Sequence, residues 1–331
     1  MSINQTTTQD TPTHPIISFV VTTYNLPLEL LQECLNSIFS LSLNQQEREI
    51  IIVDDGSDMS LINDLIANRD NIIYIRQRNS GVSVARNTGI SICSGKYIQF
   101  VDGDDALIQS SYEHCLDIVR YHNPDIVTFN FIKKNCASSS TFFLPNPISG
   151  TEYLHQYNLH GSACLYIFRK SILGSLRFSK NIRYGEDEEF TPQLFLRAGT
   201  IYKTDAKAYF YKQRNNSVTN QLSTRSIAQR LLDTENVIYS LQELSSIIPE
   251  AERVALNRRV IQLTMDYIYN VINLTRSNRQ LDNALQRLRN HGLYPLPDKK
   301  FTKKYSSFRK MINSRIGRKM LLLTIPKINS K

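Results

Sequence analysis

The first hundred residues alternate between short apolar runs and apolar positions at helical spacing. Residues 16–21 are a continuous apolar-rich run closed by the polar turn Thr22-Thr23-Tyr24-Asn25. Leu28, Leu31, Leu35, Ile38 and Phe39 then recur at helical intervals, with Pro27 near the first turn. Residues 49–53 form a second run ending in Asp54-Asp55-Gly56-Ser57, with a helix expected from near Met59. A third run, 72–75, leads into Asn79-Ser80-Gly81, and a fourth, 97–101, ends in Asp102-Gly103-Asp104-Asp105. Runs this short and apolar read as strands buried on both faces, and their alternation with helices predicts an α/β fold with a mainly parallel sheet.

Ligands in such sheets bind at the carboxyl ends of the strands. Those ends carry Tyr24-Asn25, Asp54-Asp55 and Asp102-Gly103-Asp104, so polar groups converge on one edge. Three carboxylates in one loop repel one another. A hard divalent cation relieves that repulsion, and such an ion can grip a diphosphate. The same string also suits a solvated Asp-Gly turn. Residues 89–97 imitate a phosphate-binding loop by eye, but the spacing is one residue too long and Tyr97 stands where Ser or Thr is required. No Gly-x-Gly-x-x-Gly follows the first strand, which removes the dinucleotide reading.

Five strings taken together resemble the inverting nucleotide-sugar glycosyltransferases of family 2, whose Rossmann-like fold is called GT-A. They are Thr23-Tyr24-Asn25, Val53-Asp54-Asp55-Gly56-Ser57, Asn79-x-Gly81 with Ala85-Arg86-Asn87-x-Gly89, Gly95-Lys96-Tyr97 with Phe100-Val101-Asp102-Gly103-Asp104-Asp105, and Gly185-Glu186-Asp187. They occur in family order over roughly residues 15–220. The resemblance implies transfer of a sugar from a nucleotide-sugar donor, expected to be a UDP-sugar, to a hydroxyl of a saccharide or lipid-linked saccharide of a bacterial surface polymer.

The resemblance also implies roles. Thr23, Tyr24 and Asn25 would pack around the base, and Asp54 or Asp55 would accept the imino hydrogen of uracil. Gly81 allows close backbone approach, while Arg86 would neutralise phosphate or orient Asp102. Asp102, with Gly103 beside it, would take the ribose hydroxyls and Asp104 the metal, Mn²⁺ or Mg²⁺. Asp105 would support both. Strand geometry places alternate residues of this string on one side. Asp187, supported by Glu186, would deprotonate the acceptor hydroxyl. Glu188 and Glu189 read as acids complementing a helix N-terminus. Arg214 stands near a position where many relatives carry histidine; arginine cannot ligate a metal but pairs with phosphate. The chain has no tryptophan, often found on the acceptor side.

The remaining sequence divides the chain into a disordered stretch at 1–14, a catalytic domain at 15–222, a helical region at 223–298 and a basic tail at 299–331. Helices are expected over 225–244 and 250–276. Five scattered cysteines have no metal-ligand spacing and suit reduced thiols in the cytoplasm. No apolar stretch reaches the ~18–20 residues of a membrane span, and no signal peptide is evident. The tail holds eleven Lys and Arg and no Asp or Glu, so it carries the whole +9 excess of the chain. Phe301, Tyr305, Phe308, Ile312 and Ile316 recur in it at helical spacing. This suits either peripheral contact with the anionic inner face of the cell membrane or a helix packed on the protein. No recognition motif accompanies the charge, so nucleic acid is not an expected partner. Two other functions fit part of the pattern: a sugar nucleotidyltransferase, which would show a Gly-rich basic loop after the first strand, and a nucleotide-sugar-binding protein without turnover.

Overall fold

A computed structural model describes residues 14–60, 72–133, 143–213 and 223–325. The expected disorder at the N-terminus (all but His14), the helix anticipated beyond Met59, Arg214 and the last six residues of the tail lie outside that set. Two compact units result. One comprises Met1–Asn146, Cys164–Ser175 and Tyr202–Lys212, the other Pro147–Ala163, Leu176–Ile201 and Gln213–Lys331. The second is therefore assembled from three stretches and takes in the Glu186-Asp187 pair along with the C-terminal helices.

The first unit is built on a sheet of β1 (Ile17–Thr23), β2 (Arg48–Asp54), β3 (Ile72–Arg76), β4 (Tyr97–Asp102), β5 (Ala106–Leu107), β6 (Ile126–Ile132), β7 (Tyr166–Arg169) and β8 (Ile201–Phe210). The strand order is β3-β2-β1-β4-β7-β6-β8-β5. β3, β2, β1 and β4 run parallel, and β7 pairs antiparallel with β4 and β6. The sheet is thus mixed, its parallel half coming from the four apolar runs. Phe19, Val20, Val21, Ile51, Ile52 and Val53 are all fully buried, which explains why the runs are continuous rather than alternating. Helices α1 (Leu28–Phe39), α2 (Val82–Ile92) and α3 (Gln109–His122) belong to this unit. α1 buries Leu31, Cys34, Leu35 and Ile38, the positions its periodicity marks. The chain leaves β1 to one side for β2 and crosses to the other side for β4. Strand order therefore reverses between β1 and β4, the place where open α/β sheets bind ligands. The four described cysteines, 34, 93, 115 and 164, are free and buried.

The second unit is helical: α4 (Gly150–Gln156), α5 (Glu186–Leu196), α6 (Thr224–Ile247), α7 (Glu250–Thr275), α8 (Asn278–Asn290), α9 (Lys303–Ile312) and α10 (Arg315–Thr324). Ser149, Ser223, Ser277, Thr302 and Ser314 cap five of them through their side-chain oxygens. The core joins Ile238 and Leu241 of α6, Leu256, Val260, Ile268 and Ile272 of α7 and Leu285 and Leu288 of α8.

A polar node ties the same three helices. Glu235 accepts from Arg287 Nε (2.7 Å) and Nη2 (2.9 Å), Tyr239 Oη (2.7 Å) and Tyr267 Oη (2.9 Å). Burial opposes its charge, but the Arg287 and tyrosine hydrogen bonds outweigh that and hold the carboxyl below its ordinary 4.5. A depressed folded-state pKa contributes stability above the unfolded value, and that contribution is lost as pH falls through the folded one. Arg287→Met should therefore cost about 2–3 kcal/mol near neutrality. The loss in denaturant titration should shrink as pH falls below 4.5, where the unfolded chain takes up the proton first, and vanish once folded Glu235 is protonated as well. A loss unchanged between pH 7 and pH 3 would contradict the role given to the pair.

The structure packs the middle of the tail's apolar stripe on the protein and leaves Ile316 exposed. Tyr305, Phe308 and Ile312 are buried, and Phe308, Ile312, Leu321 and Ile325 belong to the helical core. Arg309 pairs with Asp298 at 2.7 Å, and Arg318 donates to Tyr294 Oη at 2.9 Å. The stripe at 305–312 is not available to a membrane, because a helix that buries its apolar face against the protein cannot also bury it in lipid. Among the described residues, no helix is long and apolar enough to cross a membrane.

Candidate active site

In the first unit the strand ends meet in register. Thr22 lies opposite Asp102 and Thr23 opposite Asp54, while Gly103 N–H donates to Thr22 C=O and Asp55 N–H to Thr23 C=O, both at 2.9 Å. Thr23 Oγ1 is buried with no hydrogen-bond partner among the described residues. Tyr24, the next residue, is 53% exposed. Asn25 adopts a left-handed backbone (φ 46°) and stitches two loops together. Its N–H donates to Ser57 Oγ (2.8 Å), its side-chain oxygen accepts from Asp58 N–H (2.7 Å) and its Nδ2 donates to Asp58 Oδ2 (3.1 Å).

Asp54 and Asp55 divide their work. Asp54 is fully buried and accepts from Ser57 N–H (2.8 Å), Ser57 Oγ (2.6 Å) and Tyr74 Oη (2.6 Å). Its bonds organise the turn after β2. Asp55 accepts from Gln77 Nε2 (2.7 Å), Ser80 N–H (2.9 Å) and Gly81 N–H (2.7 Å), so it holds the entry to α2. A carboxylate offers about four lone-pair positions, which leaves Asp55 about one. Gly81 caps α2 with φ 89° and ψ 160°, a region open essentially to glycine alone.

β4 ends at Asp102, so the strand alternation expected of this string does not extend through it; in the turn that follows, Asp104 is half-exposed like Asp102, while Gly103 and Asp105 are buried. Arg86 Nη2 donates to Asp102 Oδ1 at 3.2 Å. The Arg86 side chain is 4% exposed and its guanidinium lies 5.9 Å from the centroid of Phe100, so it orients Asp102 from beneath. Asp105 Oδ2 accepts from Tyr209 Oη (2.8 Å) and its Oδ1 from Lys212 N–H (2.9 Å). Burial, and then the charge of Asp102, push Asp105 up to about 8 against those two bonds. Tyr209 Oη also accepts from Asp102 N–H at 3.2 Å, fastening both ends of the loop. Nothing in the Tyr209-Phe210-Tyr211 string sets that tyrosine apart from its neighbours.

In the second unit Gly185 is left-handed (φ 86°) and starts α5, with Glu186, Asp187, Glu188 and Glu189 in its first turn. Asp187 and Glu186 are half-exposed, and Asp187 Oδ2 accepts from Ala163 N–H at 3.1 Å. Glu188 forms an ion pair with Arg259, and Glu189 Oε1 accepts from Ser240 Oγ at 2.8 Å. These two acids thus link α5 to α7 and α6, a specific role beyond complementing the helix terminus. Phe190, Leu194 and Phe195 are buried as the apolar face expected of this helix.

Residues 18–174 match the model of the family described as Glycosyl transferase family 2. Among curated proteins, the chain is 31% identical over 222 residues to the Bacillus subtilis protein described as uncharacterized glycosyltransferase EpsJ, covering 62% of this chain and 63% of that one. It is 27% identical over 209 residues to the minor teichoic acid biosynthesis protein GgaB of the same organism, covering 60% of this chain and 23% of that one. These matches span less than two thirds of either relative. Among solved structures, Staphylococcus aureus TarS residues 1–349 in complex with UDP-GlcNAc matches at a TM-score of 0.60 and 18% identity, covering 90% of each chain. That likeness carries the fold. Residues 18–174 thus match glycosyl transferase family 2, and the fold is GT-A.

Proposed function

We propose that the protein is an inverting glycosyltransferase that moves a sugar from a UDP-sugar to a hydroxyl of a saccharide or lipid-linked saccharide of a bacterial surface polymer. The observation that carries this reading is the convergence of Thr23, Asp55 and the Asp102–Asp105 loop at the point where strand order reverses. The orphaned Thr23 hydroxyl supports a ligand there, since a buried polar atom is rarely left unpaired. Tyr24 offers an exposed ring to the base. Each of the two neighbouring aspartates accepts three hydrogen bonds; Asp55 is assigned to the uracil imino hydrogen because Asp54 is fully buried and also faces Arg76 Nε at 3.7 Å. Arg214 is assigned to the donor phosphates. The surface-polymer acceptor follows relatives such as GgaB, a minor teichoic acid biosynthesis protein.

The acidic loop fits a divalent ion of the Mg²⁺ type. Such ions are held by one or two carboxylates together with substrate phosphate and water. Asp104 and Asp102 are both half-exposed, and Asp105 is buried against Tyr209 and Lys212. Asp104 would hold the ion, with Asp102 taking the ribose hydroxyls. When bound, it would act as a Lewis acid on the leaving diphosphate. Asp187 takes the proton from the acceptor hydroxyl, and that oxygen attacks the anomeric carbon opposite the departing UDP. One displacement inverts the centre and forms no glycosyl-enzyme. NMR of the product anomer tests this, and retention of configuration would contradict it.

Peripheral membrane contact, if the acceptor is lipid-linked, falls to α10. Ile316, Met320 and Leu323 are 75%, 51% and 85% exposed there, with Arg315 and Lys319 also exposed. Each cation near an anionic surface contributes about 1 kcal/mol. Lys319→Glu and Met320→Glu should each reduce sedimentation with phosphatidylserine vesicles at low salt, without lowering the melting temperature. Unchanged sedimentation of both variants would contradict the contact. Deleting the whole tail is a poor test, because it removes Phe308, Ile312 and Leu321 from the core.

A further inference from the structure

In the second unit, a loop and two helices meet at one carboxylate. Glu188, in the first turn of α5, pairs with Arg259 of α7. Arg259 is 7% exposed, and its Nε is buried with no hydrogen-bond partner among the described residues. The same carboxylate lies on Gly161, where an added Cβ would stand 2.1 Å from Glu188 Cδ and 2.2 Å from Oε2. No side chain fits at 161 while Glu188 keeps that place. The loop is fastened to α5 at two more points. Thr191 Oγ1 donates to Gly161 C=O at 3.3 Å, and Ala163 N–H donates to Asp187 Oδ2 at 3.1 Å.

We propose that Arg259 is a positioning residue for Asp187: its ion pair seats Glu188 against Gly161, and the loop so fixed presents the Ala163 N–H that orients the Asp187 carboxylate. The proposal rests on Asp187 being the base. Four consecutive acids repel one another, and an exposed helix N-terminus offsets only about 0.3–1 kcal/mol for each. A buried cation on one of them fixes which way that acid points. Replacing a buried ion pair by apolar packing is often neutral for stability. The larger consequence of this pair is therefore geometric, and a displacement of about 1 Å at a reacting group can cost 10²-fold in rate.

The test compares Arg259→Met, Arg259→Lys, Gly161→Ala and Asp187→Asn in the full chain, by steady-state transfer, UDP calorimetry and thermal melting. Arg259→Met should lower kcat by roughly 10–100-fold while donor KM and UDP affinity stay near wild type. Arg259→Lys keeps a cation and should recover most of the rate. Gly161→Ala should reproduce the kcat loss, and the Gly161→Ala/Arg259→Met double variant should be no worse than the poorer single one, because both break the same contact. Wild-type kcat in Arg259→Met alongside an inactive Asp187→Asn overturns the proposal. If Arg259→Met does not fold, wild-type kcat in Gly161→Ala overturns it instead. Transfer retained by Asp187→Asn removes the base assignment, and the proposal falls with it.

Discussion

Asp187→Asn is expected to bind UDP as the wild type does and to lose transfer by ~10²–10⁴-fold, the usual contribution of a general base. Asparagine keeps the shape of aspartate, and its side-chain oxygen can still accept the Ala163 N–H that Asp187 Oδ2 accepts at 3.1 Å. The first turn of α5 should therefore stay in place, with Glu188 on Arg259 and Glu189 on Ser240. What disappears is the capacity to take a proton, without which the acceptor oxygen remains a poor nucleophile. Calorimetry with UDP and transfer rates on the same preparation check this. A collapse of UDP affinity would place Asp187 in the donor site or in the scaffold, and an unchanged rate would remove it from the chemistry.

Asp104→Ala should abolish metal-stimulated turnover and leave the fold intact. Asp104 is half-exposed in a loop that Arg86 holds through Asp102 and that Tyr209 and Lys212 hold through Asp105. Losing it removes one of the charges that raise Asp105, behind burial and Asp102. A Lewis acid on a leaving group supplies several kcal/mol, so its loss corresponds to roughly 10²-fold or more. Rates titrated with Mn²⁺ and Mg²⁺, together with melting curves, check this. Wild-type activity in the variant would remove Asp104 from the metal site.

Much of the first unit was legible because buried parallel strands announce themselves as unbroken apolar runs. The runs at 16–21, 49–53, 72–75 and 97–101 appear as β1, β2, β3 and β4, each within two residues at either end. The acidic strings fell at their carboxyl ends because glycine and aspartate end strands. Helices 225–244 and 250–276 were readable from their stripes, and both are present as α6 and α7 with small shifts at the ends. The antiparallel strand β7 gave no such signal, since it has only four residues, Tyr166–Arg169. Side-chain partnerships were not legible either. The sequence could not tell that Asp54 holds a turn while Asp55 holds a helix entry, because both sit in one Asp-Asp-Gly string. Nor could it show that Arg259, about seventy residues away, pairs with Glu188. The tail illustrates a different limit: an amphipathic stripe records that one face is buried, and packing against α7 leaves the same record as lipid.

The central claim, that a sugar leaves a nucleoside diphosphate and joins an acceptor hydroxyl, is tested most directly by incubating the wild-type protein with a panel of UDP-sugars and saccharide acceptors, with and without Mn²⁺, and measuring released UDP and glycosylated product together. UDP and product should appear in equal amounts from at least one donor, stimulated by Mn²⁺. Pyrophosphate formed from a nucleoside triphosphate and a sugar phosphate, or tight UDP-sugar binding with no UDP released across the panel, would contradict it.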